Sequence, residues 1–131
     1  MNDLFDSSAI FRAIKENKIE LLTGNYTLEL ARYELGNILW KDCALQAKVS
    51  VQEAKMMAKI VKHTLSIMDV LEVAGNEEEI LETAIKLKIT FHDASYAYFA
   101  KAKGLTLITE DSQLIKKTKP TTNVSTLDSI K

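Results

Sequence analysis

The sequence predicts an α/β fold in three layers, built on a mostly parallel sheet. Three observations carry that reading. Short apolar runs of strand character alternate with longer segments whose apolar residues recur every three or four positions. Ser50 with Glu53, and Thr90 with Asp93, have the spacing of helix-opening capping boxes. Asp6 and Asp111 follow two of the apolar runs, at the strand ends where parallel sheets bind ligands.

Leu4-Phe5 reads as the first strand, and Ala9 to Glu16 as a helix with Ile10, Ala13 and Ile14 on one face. Ile19 to Leu22 is expected to be the second strand, closed by a turn at Thr23-Gly24-Asn25. Thr27 is expected to cap the next helix, whose stripe is Leu28, Ala31, Leu35, Ile38 and Leu39, fraying near Lys41 or Asp42. Cys43 to Lys48 add a further turn or two. Ser50 opens a helix that turns Ala54, Met57, Ala58 and Val61 to the core. Ile67 to Val73 is the third strand, and Asn76 starts a helix with three acids at its positive end. Thr90 caps a helix that stops at Gly104, where a left-handed residue is wanted. Leu105 to Ile108 is the fourth strand, Gln113 to Lys117 a short helix, and Asn123 to Leu127 a weak final strand.

Composition narrows the function classes. The chain of 131 residues supports one domain, read as 1–131, with one sizeable core. One proline and four glycines argue against long linkers. The lone Cys43 cannot form an internal disulfide, so a reducing, cytoplasmic compartment is expected. No apolar run approaches the length of a membrane span, and the acidic start lacks the basic flank of a signal peptide. A net charge of −1 does not advertise nucleic-acid binding, although a metal-loaded acidic site offsets repulsion locally.

The carboxylates carry the chemistry. Asp6 and Asp111 each have a bland reading as helix caps, and Asp93 as the acid of a capping box with Thr90. Glu110 reads as solvent-facing. Glu34 has no cation one turn away and sits on or beside an apolar stripe, so a tertiary cation or a metal is expected to satisfy it. Four such acids in one crevice would repel one another, and hard divalent ions with oxygen ligands are the usual resolution. His63 and His92 have no second histidine or cysteine at ligand spacing, which argues against zinc. Trp40, Tyr96 and Tyr98 read as core or interface residues. Lys101, Lys103, Lys116, Lys117 and Lys119 read as a solvated face placed to meet phosphates.

In order along the chain, Leu4-Phe5-Asp6-Ser7-Ser8-Ala9, Glu34 within Leu30 to Leu35, Asp93-Ala94-Ser95-Tyr96 and Leu107-Ile108-Thr109-Glu110-Asp111 resemble the four motifs of PIN domains. The nearest subtype is the small VapC-type toxin ribonuclease of toxin–antitoxin pairs. The resemblance covers nearly the whole chain. It implies a three-layer α/β/α domain with a five-stranded parallel sheet in the order 3-2-1-4-5, and cleavage of single-stranded RNA with Mg²⁺ or Mn²⁺. Asp6, Glu34, Asp93 and Asp111 would be the catalytic, metal-holding acids, with Ser8 and Thr109 as hydroxyls that orient them or a water. Asp6 and Asp111 would face each other across the switch point between strands 1 and 4. Ser7 stands where the family often has Thr, and the short segment between strands 1 and 2 suggests a reduced helical pair there.

The resulting expectation is an endoribonuclease that uses bound ions, and no protein nucleophile, to activate water and steady the leaving oxygen. A homodimer is expected from the apolar content of helices Thr27 to Lys41 and Ser50 to Leu65, with an antitoxin protein as possible partner. Two rival readings remain. A phosphotransfer protein on a doubly wound fold would also carry an Asp after strand 1, but its phosphatase form needs a second Asp where Ser8 stands. The other rival is a non-catalytic PIN-like interaction module.

Overall fold

The computed structural model of the chain describes residues 2–130; Met1 and Lys131, the ends of the span read as one domain, lie outside the described residues. Five strands, β1 (Asp3–Phe5), β2 (Tyr26–Leu28), β3 (Asp69–Leu71), β4 (Thr106–Ile108) and β5 (Val124–Ser125), form one sheet in the order β3-β2-β1-β4-β5. Every pairing is parallel. Connectivity runs outward from β1 in both directions, so the switch point falls between β1 and β4, where Phe5 pairs with Ile108. This is the topology expected from the sequence resemblance.

Helices cover both faces. The elements are α1 (Ser7–Lys15), α2 (Leu30–Trp40), α3 (Val51–Ser66), α4 (Glu77–Leu87), α5 (Phe91–Ala102) and α6 (Ser112–Thr118). Alternation along each strand divides the core in two. Phe5 and Ile108 point to one face and pack with Ile10, Leu35 and Leu65 from α1, α2 and α3. Their neighbours Leu4 and Leu107 point to the other and pack with Ile80, Tyr96, Phe99 and Leu114 from α4, α5 and α6. Leu4, Phe5 and Leu107 are wholly removed from solvent. Burial of side chains this size contributes about 1.5–3 kcal/mol each, which is what makes three-residue strands viable.

The capping signals are realised. Ser50 and Glu53 form a reciprocal capping box at α3, and the Thr90 hydroxyl accepts the Asp93 N–H at α5. Gly104 follows α5 in the left-handed region at φ 66°. Lys88 takes the same conformation at the end of α4, a position where sequence offers no glycine.

Two expectations fail together. Ile19–Leu22 is a short 3₁₀ turn rather than the second strand, and the strand is Tyr26–Leu28. Four apolar-rich residues carry no periodicity that separates strand from turn. Tyr26 aligns with Leu4 of β1, whereas Leu22 serves the core from the turn before it. Thr27 consequently caps nothing. It is buried in β2, where its hydroxyl donates to the Phe5 carbonyl at 2.8 Å. The next helix starts at Leu30 without a side-chain cap. The helical pair is accordingly α2 with α3, between β2 and β3, while α1 and the 3₁₀ turn occupy the short β1–β2 segment. Beyond α2 the chain continues as a wider π-type turn over Lys41–Leu45. Among the described residues no helix is long and apolar enough to cross a membrane.

Candidate active site

The site is built at the C-terminal edge of β1 and β4. β1 ends at Phe5, so Asp6 emerges at the switch point, where its N–H donates to the Ile108 carbonyl of β4. The residue is only 6% exposed. One carboxylate oxygen accepts the Ser8 hydroxyl at 2.6 Å and the Ala9 N–H at 3.0 Å, and the other accepts the Thr109 hydroxyl. Asp6 therefore is the N-cap of α1, as the bland reading had it, and also the centre of a buried polar cluster. Burial pushes its carboxyl up to about 6, against the pull of Ser8, Thr109 and Ala9, with the charge of Glu34 adding to the rise.

Ser8 and Thr109 each do two tasks. Ser8 Oγ accepts the Glu110 N–H at 2.9 Å while donating to Asp6, and Thr109 Oγ1 accepts the Asp111 N–H at 3.1 Å. The two hydroxyls thus tie the loop after β4 to the carboxylate after β1. Thr109, rather than Asp111, is the side chain that touches Asp6 across the switch point. Asp111 lies two residues on, exposed, with one carboxylate oxygen accepting the N–H groups of Gln113 and Leu114 as N-cap of α6.

Glu34 projects from α2, half-buried. Its partner is neither a cation nor any group expected from the sequence. The hydroxyl of Tyr96 donates to its Oε1 at 2.8 Å. Tyr96 is 1% exposed and lies one helical turn after Asp93 on α5. Burial first, then the Glu34 charge, hold the phenol far above its ordinary range, so it stays a proton donor. Asp93 is half-buried, and burial followed by the charges of Asp111 and Glu34 raises its carboxyl. The charge of Glu34 therefore reaches both Asp6 and Asp93, and that of Asp111 reaches Asp93.

No ion pair among the described residues compensates the four acids. Among the described residues the ion pairs involve Arg12 with Glu16, Glu110 and Asp128, Lys18 with Glu16, and Arg32 with Glu29, none of which is in the set. Nor do three His, Cys, Asp or Glu side chains among the described residues converge closely enough to form a ready metal cage. The donor set nevertheless fits Mg²⁺ or Mn²⁺. It is all oxygen, uncompensated and partly open, and Mg²⁺ commonly keeps several waters and takes only one or two carboxylates.

Glu110 corrects the expectation of a solvent-facing side chain. It is partly buried, with one oxygen bound by Arg12 Nη1 and the other accepting the Leu127 N–H at 2.7 Å. Arg12 also binds Glu16 and Asp128, so it joins α1, the β4–α6 loop and the C-terminal turn. Glu16 at four residues from Arg12 was the only local sign of this. Contacts 98 and 116 residues away leave no pattern in a single sequence.

No family model matches the chain. Over 100 residues it is 40% identical to Exonuclease VapC9 of Pyrobaculum aerophilum, covering 76% of this chain and 71% of that protein. Ribonuclease VapC3 of the same organism is 33% identical over 92 residues, 70% of each. The crystal structure of PAE2754 from Pyrobaculum aerophilum superposes with a TM-score of 0.82 at 30% identity, over 98% of this chain and 91% of that one. VapBC2 from Rickettsia felis, solved with a promoter DNA fragment, gives 0.66 at 19% identity over 96% and 98%, a likeness of fold. Sequence identity of this extent over more than two thirds of both chains, on a sheet of the expected strand order, means that the chain belongs to the VapC family of PIN-domain proteins.

Proposed function

We propose that this protein is a divalent-metal-dependent endoribonuclease that cleaves single-stranded RNA, as the toxin of a toxin–antitoxin pair. The observation that carries the proposal is the uncompensated acid set around the β1–β4 switch point. Asp6 is buried within it although no cation among the described residues offsets its charge. Keeping such a group costs stability unless a cation joins it. The names of the two curated relatives, an exonuclease and a ribonuclease, agree with nuclease chemistry.

In this reading Asp6, Glu34, Asp93 and Asp111 would hold Mg²⁺ or Mn²⁺, one or two of them directly and the others through its waters. The bound ion supplies activation of a water and neutralisation of charge at the phosphate. Ser8 and Thr109 keep the Asp6 carboxylate in one orientation, and Tyr96 does so for Glu34 by occupying Oε1 and leaving Oε2 for a ligand. Asp111 uses one oxygen as a helix cap, and its other oxygen remains available. Asp111 is exposed and acts with Glu34 on half-buried Asp93, so the rim is open and leaves room for a strand that continues past the acids.

The reading extends to partners. Trp40, Leu45 and Val51 are exposed where α2 runs through the π-type turn into α3. This apolar face suits a second copy of the chain, and an antitoxin would take a surface of the same kind. The half-buried thiol of Cys43 beneath it is compatible with a reducing cytoplasm.

The deciding experiment incubates the protein with linear and circular single-stranded RNA in Mn²⁺ or EDTA. Cleavage of both forms, lost in EDTA, is the expected result. Cleavage of the linear form alone would make the enzyme an exonuclease. No cleavage under any divalent ion would leave a non-catalytic module.

A further inference from the structure

A cleft of about 620 Å³ opens beside the acids. Glu34 itself lines it, together with Ser7 and His92, the chain neighbours of Asp6 and Asp93. The cleft thus opens directly on one of the four acids, Glu34, with residues adjacent in the chain to two others in its wall. Tyr33 stands in its wall and is 73% exposed. Its helix buries Ala31, Leu35 and Leu39 toward the core, so packing of α2 does not account for an aromatic side chain at position 33. An exposed tyrosine forgoes most of the burial energy its ring can supply.

The rest of the lining tells what the ring is suited to meet. Asn37, one turn beyond Tyr33, offers an amide, and His92 an imidazole, while Leu30 and Ile38 make the wall partly apolar. No lysine or arginine lines the cleft. A phosphate group would find no cation there, and the neighbouring carboxylates would repel it. A flat ring with amide and imidazole groups beside it suits an uncharged, planar, hydrogen-bonding ligand. Unpaired nucleobases are recognised in this way, by stacking on an aromatic face and by contacts to the base edge.

We propose that this cleft is a nucleobase subsite, in which Tyr33 stacks on an unpaired base adjoining the phosphate at the acids, and Asn37 and His92 contact its edge. The proposal rests on the nuclease reading above and gives it a source of strand selectivity. A base inside a duplex has both faces covered by its neighbours and cannot present one to Tyr33.

The test uses steady-state cleavage of a mixed-sequence single-stranded RNA in Mn²⁺ by the parent, Tyr33→Ala and Tyr33→Phe. Tyr33→Ala is expected to raise KM about tenfold with kcat within about twofold, and Tyr33→Phe to restore the parent KM, since stacking needs the ring and not the hydroxyl. The same RNA carrying 5-iodouridine should photo-crosslink to the parent at Tyr33. Because Tyr33 is exposed, the melting temperatures should coincide. An active parent whose KM is unmoved by Tyr33→Ala would overturn the subsite and leave the nuclease reading intact. An equal defect in the Phe variant would also overturn stacking, by assigning the effect to the hydroxyl. Weakened capture of a partner protein with unchanged KM would assign Tyr33 to a protein interface instead. A parent that neither binds nor cleaves RNA would sink both proposals.

Discussion

Asp6 and Asp111 look alike in the sequence and differ in the folded protein. Each follows a strand, and each caps the helix after it. Asp6 is closed in by Ser8, Thr109 and the first turn of α1, and its carboxyl rises to about 6. Asp111 stands at the exposed rim. A helix cap alone has no need for burial, because a solvated Asp caps well. The buried member of the pair carries an electrostatic cost that capping does not explain, and the exposed member keeps its contact with solvent. Under the proposed function this asymmetry would make Asp6 the anchor of the candidate site and Asp111 its exposed edge.

The largest effect expected from breaking the comparison is on activity. Asp6→Asn and Asp93→Asn should each lower cleavage by roughly a hundredfold or more, beyond the usual loss from groups that only orient metal ligands. The fold should survive in Asp6→Asn, because the new amide can donate to the Thr109 hydroxyl while its oxygen still accepts from Ser8 and Ala9. Far-UV circular dichroism beside an RNA assay checks both points. Full activity in either variant would remove that residue from the site.

The pH dependence of the metal-free protein sharpens the same contrast. A carboxyl raised from 3.8 to about 6 binds its proton more tightly when folded. Its stabilising contribution is complete below pH ~4, is lost as pH climbs through about 6, and amounts to on the order of 3 kcal/mol. Urea titrations across pH 4–7 should show this decline as the difference between parent and Asp6→Asn. Parallel curves for the two proteins would mean that Asp6 does not carry the cost.

Mn²⁺ is expected to act on both acids in the opposite sense. An ion that binds only the folded state at ~100 times its dissociation constant stabilises by about 2.7 kcal/mol, or very roughly 10 °C in melting temperature. Asp111→Asn keeps the cap on Gln113 and Leu114, so without metal it should melt no lower than the parent, and it should gain less from Mn²⁺. Equal Mn²⁺ shifts in both proteins would exclude Asp111 from the ion's ligands.

The smallest effect belongs to the Arg12 clamp behind the loop. Glu110→Gln keeps an acceptor for the Leu127 N–H and loses the ion pair with Arg12. Partly exposed ion pairs contribute little, so the melting temperature should fall by no more than roughly 2–4 °C. A much larger drop, read by differential scanning calorimetry, would make the clamp a principal tie between α1 and the loop after β4.

Local chemistry made much of this protein legible in advance. Ser50 with Glu53, Thr90 and Gly104 mark helix ends by interactions within a few residues, and those ends fall where expected. The apolar runs at Leu4, Leu107 and their neighbours announce buried strands because side-chain alternation is intrinsic to the backbone. Ile19–Leu22 did not announce its state, since four apolar-rich residues fit a strand or a turn equally and only the pairing of Tyr26 with Leu4 decides between them. The sequence by itself therefore determined the fold class, most of the helix boundaries and the order of the acids. Only the tertiary structure decided the partners of those acids. Tyr96 reaches Glu34 across 62 residues, Thr109 reaches Asp6 across 103, and Arg12 reaches Glu110 across 98. Such contacts arise when the sheet sets β1 beside β4 and packs α5 near α2, and a hydroxyl or guanidinium bears no local mark of the carboxylate it will meet.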